Sequence, residues 1–179
     1  MPGAPYNLLL NRSVDFAPFN QVLRFSYPGG RDAQIVLGLV QMLWDRVEPN
    51  GYLPFVRENP LPGTPSHEVL LHVAIGDHQV SPLGAHYMAR SMGAKLLVPA
   101  ARPVFGLEEA RAPFEGSALI EYDYGDLVDP LPDTNTFTTS ELDDPHGWPR
   151  AEPSQIEQSE IFLRTGEITQ QCDGACDPD

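Results

Sequence analysis

Glu68-Val-Leu-Leu-His-Val-Ala-Ile75, followed at once by Gly76-Asp77-His-Gln-Val80-Ser-Pro82, decides how this chain folds. The first run is short, almost wholly apolar, β-branched in part and bounded by turn-forming residues. That is the pattern of a strand buried on both faces, as in a parallel sheet. Pro82 to Met92 then reads as a helix, with proline in its first turn and Gly93 just past its end. Gly76-Asp77 therefore sits at the carboxyl tip of a buried strand, where open α/β sheets place ligand and catalytic groups. Two roles suit an aspartate there. It can cap the following turn or helix, or it can orient and charge-stabilise a histidine supplied by a later loop.

Downstream, Lys95-Leu-Leu-Val-Pro99 reads as a second short strand and Ser117 to Tyr124 as a third. Residues 125–150 form an acidic, proline-bearing loop, and Glu152 to Leu163 a last helix with Ile156, Ile161, Phe162 and Leu163 available to pack. Strand, helix, strand with short links predicts a βαβ layout and a few-stranded, mostly parallel sheet flanked by helices. Three strands are too few for a stand-alone doubly wound sheet, so the expectation is a partial α/β fold.

Upstream, residues 52–67 hold Pro54, Pro60, Pro62 and Pro65 and are expected to be a loop. Before them, Arg31 to Val47 is the best helix in the sequence. Its apolar residues Ile35, Val36, Leu39, Val40, Leu43, Trp44 and Val47 recur at spacings of three and four and make one broad stripe. Glu48-Pro-Asn-Gly51 stops it. Residues 6–27 mix aromatic and polar residues without one period, and end at the turn signal Tyr27-Pro-Gly-Gly30.

The formal charge of −14 is unevenly placed, because 18 of the 25 Asp and Glu residues lie in residues 108–179, which hold only 3 of the 11 Lys and Arg. With a single lysine, Lys95, such a chain is repelled by nucleic acid and by anionic lipid, and neither is expected as a partner. No apolar run approaches the roughly 20 residues of a membrane span. The start, Met-Pro-Gly-Ala-Pro, has neither the basic nor the long apolar region of a signal peptide. Cys172 and Cys176, in Cys-Asp-Gly-Ala-Cys, are either a small disulfide loop, which would suit a secreted or periplasmic chain, or two free thiols on a tail.

Asp123, Asp126, Asp129 and Asp133 form an acidic series without the Asp-x-Asp-x-Asp-Gly spacing of a calcium loop. His67, His72, His78 and His86 lack metal-ligand spacing of the His-Glu-x-x-His kind. No metal and no cofactor is expected.

Gly76-Asp77-x-x-Val80-Ser-Pro82 resembles the segment around the triad acid of α/β-hydrolases, in which the histidine follows in a loop after the last strand. The sequence continues in that order. Ala118–Tyr122 is a last strand, Asp143-Asp-Pro-His146-Gly lies in the loop after it, and a helix from Pro153 to Leu163 follows. His146 is the only histidine after residue 86. The resemblance implies Asp77 as orienting acid and His146 as general base; the residues alone leave His146 equally an ordinary exposed loop histidine.

Leu8-Leu-Leu-Asn-Arg-Ser-Val-Asp-Phe16, Gln41-Met-Leu-Trp-Asp-Arg46, Asn50-Gly51 and the Cys-Asp-Gly-Ala-Cys tail further resemble a group of large bacterial hydrolase-like proteins. That likeness implies that residues 1–66 are the end of a core strand plus a helical cap-like region. Residues 67–179 are then the C-terminal part of the hydrolase core. Leu39, Leu43 and Trp44 of the cap would offer an apolar wall to substrate.

The pattern departs from the family at the nucleophile. No Gly-x-Ser-x-Gly occurs, and the nearest approach, Ala89-Arg-Ser91-Met-Gly93, ends a predicted helix and follows Asp77 instead of preceding it. Ser13, in Asn-Arg-Ser-Val, has no glycine frame either. Two functions are therefore expected of such a chain. It is the C-terminal part of a serine-type esterase or lipase-like hydrolase acting on a small apolar ester, with the nucleophile supplied by an N-terminal piece. Alternatively it is a non-catalytic module whose half-sheet associates with a partner or forms a homo-oligomer.

Overall fold

The computed structural model describes residues 3–127 and 144–178. Four parallel strands form the central sheet: β1 (Leu70–Ala74), β2 (Lys95–Val98), β3 (Glu109–Arg111) and β5 (Ala118–Tyr122), in the order β1-β5-β2-β3. Two very short strands, β4 (Phe114–Glu115) and β6 (Glu167–Ile168), pair antiparallel beside it. The expected partial α/β fold with a mostly parallel sheet is present, with one more strand in the main sheet than the sequence reading supplied. The extra strand and the small pair span three residues or fewer each.

The strand period of two divides the core into two layers. Leu71, Val73, Leu96 and Leu119 face helix α4 (Pro82–Ser91), where Ala85, Met88 and Ala89 are buried with Met92 just beyond. Ala4 and Leu53 from the N-terminal region enter the same cluster, so the first sixty-odd residues share a core with the sheet. On the opposite face, Leu97, Ala118, Ile120 and Tyr122 pack with Ile168, Cys176 and Phe162 of helix α5 (Pro153–Thr165). Gly166, at φ 77°, ends α5 in the left-handed conformation that glycine adopts without strain.

The N-terminal region is helical: α1 (Tyr6–Arg12), α2 (Ala17–Ser26), α3 (Gly30–Trp44) and a 3-10 helix over Pro49–Phe55. This corrects two expectations. No strand falls within residues 3–66, where the resemblance implied the end of one, and the loop expected at 52–67 begins inside the 3-10 helix. The long helix stands where its period put it, but its broad apolar stripe does not face the core. Ala33, Leu37 and Gln41 form the buried side, while Ile35, Leu39 and Leu43 are 56%, 57% and 67% exposed. The buried face is fixed by polar contacts. Gln41 Oε1 accepts from the Asn7 backbone N–H at 2.9 Å, and its amide donates to Asp45 and to Glu48. Trp44 stacks on Tyr6, with ring centroids 4.4 Å apart.

Cys172 and Cys176 form a disulfide. The loop it closes docks on the end of β5. Tyr122 bridges to Cys176 in parallel sense, and the Asp123 N–H donates to the Cys176 carbonyl at 2.9 Å. Asp129, Asp133 and most of the acidic loop lie outside the described residues. Among the described residues, no helix is long and apolar enough to cross a membrane.

Candidate functional site

β1 and β5 are neighbours in register, with Ala74 opposite Tyr122, so the segments leaving their carboxyl ends emerge side by side. From β1 comes the Asp77 turn. Gly76 takes φ 88°, and a Cβ there would lie 2.8 Å from Leu127 Cβ, so the turn needs glycine both for its conformation and for room. Gly76→Ala is expected to cost about 1–3 kcal/mol and to displace Asp77, which urea unfolding would detect as a lower midpoint.

Asp77 is fully buried, and its two oxygens divide the work. Oδ1 accepts from the backbone N–H groups of Val80 at 2.7 Å and Gln79 at 2.9 Å, which closes an Asx-type turn. Oδ2 faces Nδ1 of His146 at 3.0 Å. The aspartate thus both caps a turn and holds a histidine, and the two readings left open by the sequence coexist. It is not the cap of α4, whose N-cap is Ser81. Burial pushes the Asp77 carboxyl above the usual carboxylate range, against the Val80 N–H and His146, which pull it down.

His146 is delivered by a 3-10 helix, Pro145–Ala151, that packs against β1. Pro145 and Pro149 are buried and pin the helix, and Asp144 Oδ1 caps it by accepting from the His146 backbone N–H at 3.0 Å. Arg150 Nη2 lies 3.3 Å from His146 Nε2. Arginine has only donors, so Nε2 is the acceptor in that contact and the ring proton sits on Nδ1, donated to Asp77. The result is an imidazole whose Nδ1 is held by a buried carboxylate and whose Nε2 is turned outward. The imidazole side chain is 19% exposed.

The other sequence candidates fall away from this pair. Ser91 ends α4, and its hydroxyl donates to the Tyr87 carbonyl at 2.9 Å. Asp77 precedes the start of that ten-residue helix, a separation of about 15 Å along the axis. Ser13 is buried, with Oγ accepting from the Asp15 N–H at 3.2 Å. Leu39 and Leu43 face outward and Trp44 is engaged with Tyr6, so the expected apolar wall does not line any described recess.

His72 and His86 belong to structural networks. His72 Nε2 pairs with Gln158 Oε1 at 2.7 Å, and burial lowers the imidazole below its usual pKa. His86 Nε2 meets Glu121 Oε1 at 2.7 Å, and Arg102 grips the same carboxylate through Nε at 2.8 Å and Nη2 at 2.9 Å. Sequence reasoning missed this buried Glu121 cluster and also missed Arg150. Neither has a local signal, since the Glu121 partners lie 19 and 35 residues away and Arg150 is an ordinary solvated arginine until the 3-10 turn forms.

A buried aspartate and an outward imidazole thus meet beyond the carboxyl end of β1 in a parallel α/β sheet. Compared with family models, with curated proteins and with solved structures, the chain matches none.

Proposed function

We propose that this chain is the acid- and histidine-bearing part of a serine-type carboxylic ester hydrolase whose nucleophile comes from a segment outside these 179 residues. One observation carries the reading. Two residues 69 positions apart meet as a buried carboxylate on Nδ1 and an outward Nε2, at the strand ends where such sheets do their chemistry. Chain order supports it too, with Asp after one strand and His after a later one. Nε2 would take the proton of a serine hydroxyl brought to it, and Asp77 would stabilise the imidazolium that results. Arg150, exposed and held to Nε2 among the described residues, would be displaced by that hydroxyl.

The test is hydrolysis of p-nitrophenyl butyrate by the chain alone, beside His146→Ala. No His146-dependent turnover is expected, because no serine stands at Nε2 among the described residues. Turnover that the substitution abolishes would place the nucleophile on this chain and overturn the proposal.

A second reading rests on its own observation and has the chain act by association. The ladder to β5 uses Val69 and Ile75, and alternation along a parallel strand turns the backbone groups of Leu70 and His72 to the other edge, where no described strand pairs. Phe19, Val22, Phe25, Ile35, Leu39 and Leu43 are exposed besides. An open edge and an apolar face of this kind associate. Size-exclusion chromatography with light scattering is expected to show oligomers of the purified chain. A stable, folded monomer across micromolar concentrations would count against this reading.

A further inference from the structure

Beside the Asp77–His146 pair lies a recess that the proposed chemistry leaves unused. It is a cleft of about 370 Å³ lined by Tyr124, Trp148, Ala151, Glu152 and Pro178. Trp148 and Ala151 are three residues apart on the 3-10 helix, and that helix's three-residue turn puts both on one face. The Tyr124 and Trp148 rings meet at 89°, with centroids 5.1 Å apart, so they form two walls of a corner and not a closed stack. Tyr122 stacks behind Tyr124 at 21° and backs that wall. Trp148 is still 39% exposed, a large aromatic surface left to solvent.

Among the described residues, Glu152 is the one charged side chain lining this cleft, and no ion pair holds it there. Its charge, after burial, is what pushes the Tyr124 phenol upward, so carboxylate and ring stand together. The nearest cation along the helix, Arg150, is turned to His146. Aromatic faces carry negative charge density, and two of them beside a carboxylate form a site for a weakly hydrated cation. The C-terminal part of the chain, with 18 acidic residues against 3 arginines, adds a field of the same sign.

We propose that this cleft binds a small organic cation, an alkylammonium head group, against the faces of Tyr124 and Trp148 and the charge of Glu152. Trp148 is two residues from His146. If the hydrolase reading holds, the cation belongs to the alcohol side of the ester, and the substrate class narrows from apolar esters to esters of quaternary ammonium alcohols. The binding site itself does not depend on hydrolysis.

The chain has two tryptophans, so Trp44→Phe leaves Trp148 as the sole indole reporter and retains a ring to stack on Tyr6. Choline chloride, titrated at constant ionic strength, is expected to change Trp148 fluorescence saturably. Its neutral isostere, 3,3-dimethylbutan-1-ol, is expected to bind about tenfold more weakly, and Glu152→Gln to weaken the cation by about the same factor. Because Glu152 also begins α5, Tyr124→Leu, read by calorimetry, serves as a second variant and is expected to weaken the cation equally. The absence of a saturable change would overturn the site. So would a neutral isostere that binds as tightly, or a cation affinity untouched by whichever of the two variants folds. Because the readout is binding alone, failure here leaves the Asp77–His146 chemistry standing. Ester hydrolysis that fails for other reasons likewise leaves the cation site standing.

Discussion

Asp77→Ala is expected to destabilise the fold by about 3 kcal/mol, seen as a fall in the urea midpoint at unchanged slope. Three groups lose their acceptor together. The N–H groups of Gln79 and Val80 are left in a buried turn, and His146 Nδ1–H loses the carboxylate at 3.0 Å. Each buried donor left unmade costs about 1–3 kcal/mol, and removing the burial penalty of the carboxylate returns part of the total. The raised pKa of Asp77 sets the pH dependence of the loss. A carboxyl that holds its proton more tightly folded than unfolded opposes folding as pH rises past its unfolded value. The alanine variant is therefore expected to lose most stability, relative to the natural chain, at acid pH. A variant with an unchanged midpoint would mean that the turn does not rely on the carboxylate.

Glu121→Gln is expected to cost about 3–5 kcal/mol at neutral pH, because it removes the buried carboxylate on which both Arg102 and His86 converge. Glutamine also turns an amide donor toward a guanidinium that is itself only a donor. Burial alone would raise the Glu121 carboxyl. The hydrogen bonds from Arg102 and His86, with their charges, outweigh it and hold the group below its usual 4.5. A depressed carboxylate contributes stability that is present above its unfolded pKa and lost as pH falls through the folded one. The difference between natural chain and variant is therefore expected to be full at pH 7 and to shrink below pH 4.5. A gap that stayed constant into strong acid would show that the loss is one of packing and not of charge.

The elements that could be read from the sequence are those whose signal is local. β1 showed as an apolar run closed by Gly76-Asp77, α4 as a helix between Pro82 and Gly93, and α5 as one from Glu152 to Leu163. β3, β4 and β6 have two or three residues each, too few for a period of two to register. Helix α3 shows a different limit. Periodicity reveals that an apolar face exists but not what it meets. Here the core takes the face of Ala33, Leu37 and Gln41, because Gln41 satisfies the start of α1 and the turn after α3.

Within the site, Asp77 and His146 could be paired only through the resemblance to α/β-hydrolases, whose order of strand, Asp, strand and His the chain follows. Their flanking contacts did not follow from it. Arg150 on Nε2 depends on the 3-10 turn, and the Tyr124–Trp148 corner depends on the end of β5 meeting that same turn. The first is a contact between residues four apart that only the folded turn makes, and the second joins residues 24 apart in sequence.

The claim on which the rest depends is that Asp77 holds His146 with its Nε2 lone pair turned outward. Nitrogen-15 NMR of histidine-labelled protein, with the natural chain compared with Asp77→Asn at neutral pH, measures it directly. The natural chain is expected to show His146 as the Nδ1–H tautomer with an exchange-protected, far-downfield proton. Asparagine would present its amide donor to Nδ1 and shift the proton to Nε2. An Nε2–H tautomer in the natural chain, or a His146 spectrum unchanged by the substitution, would contradict the account.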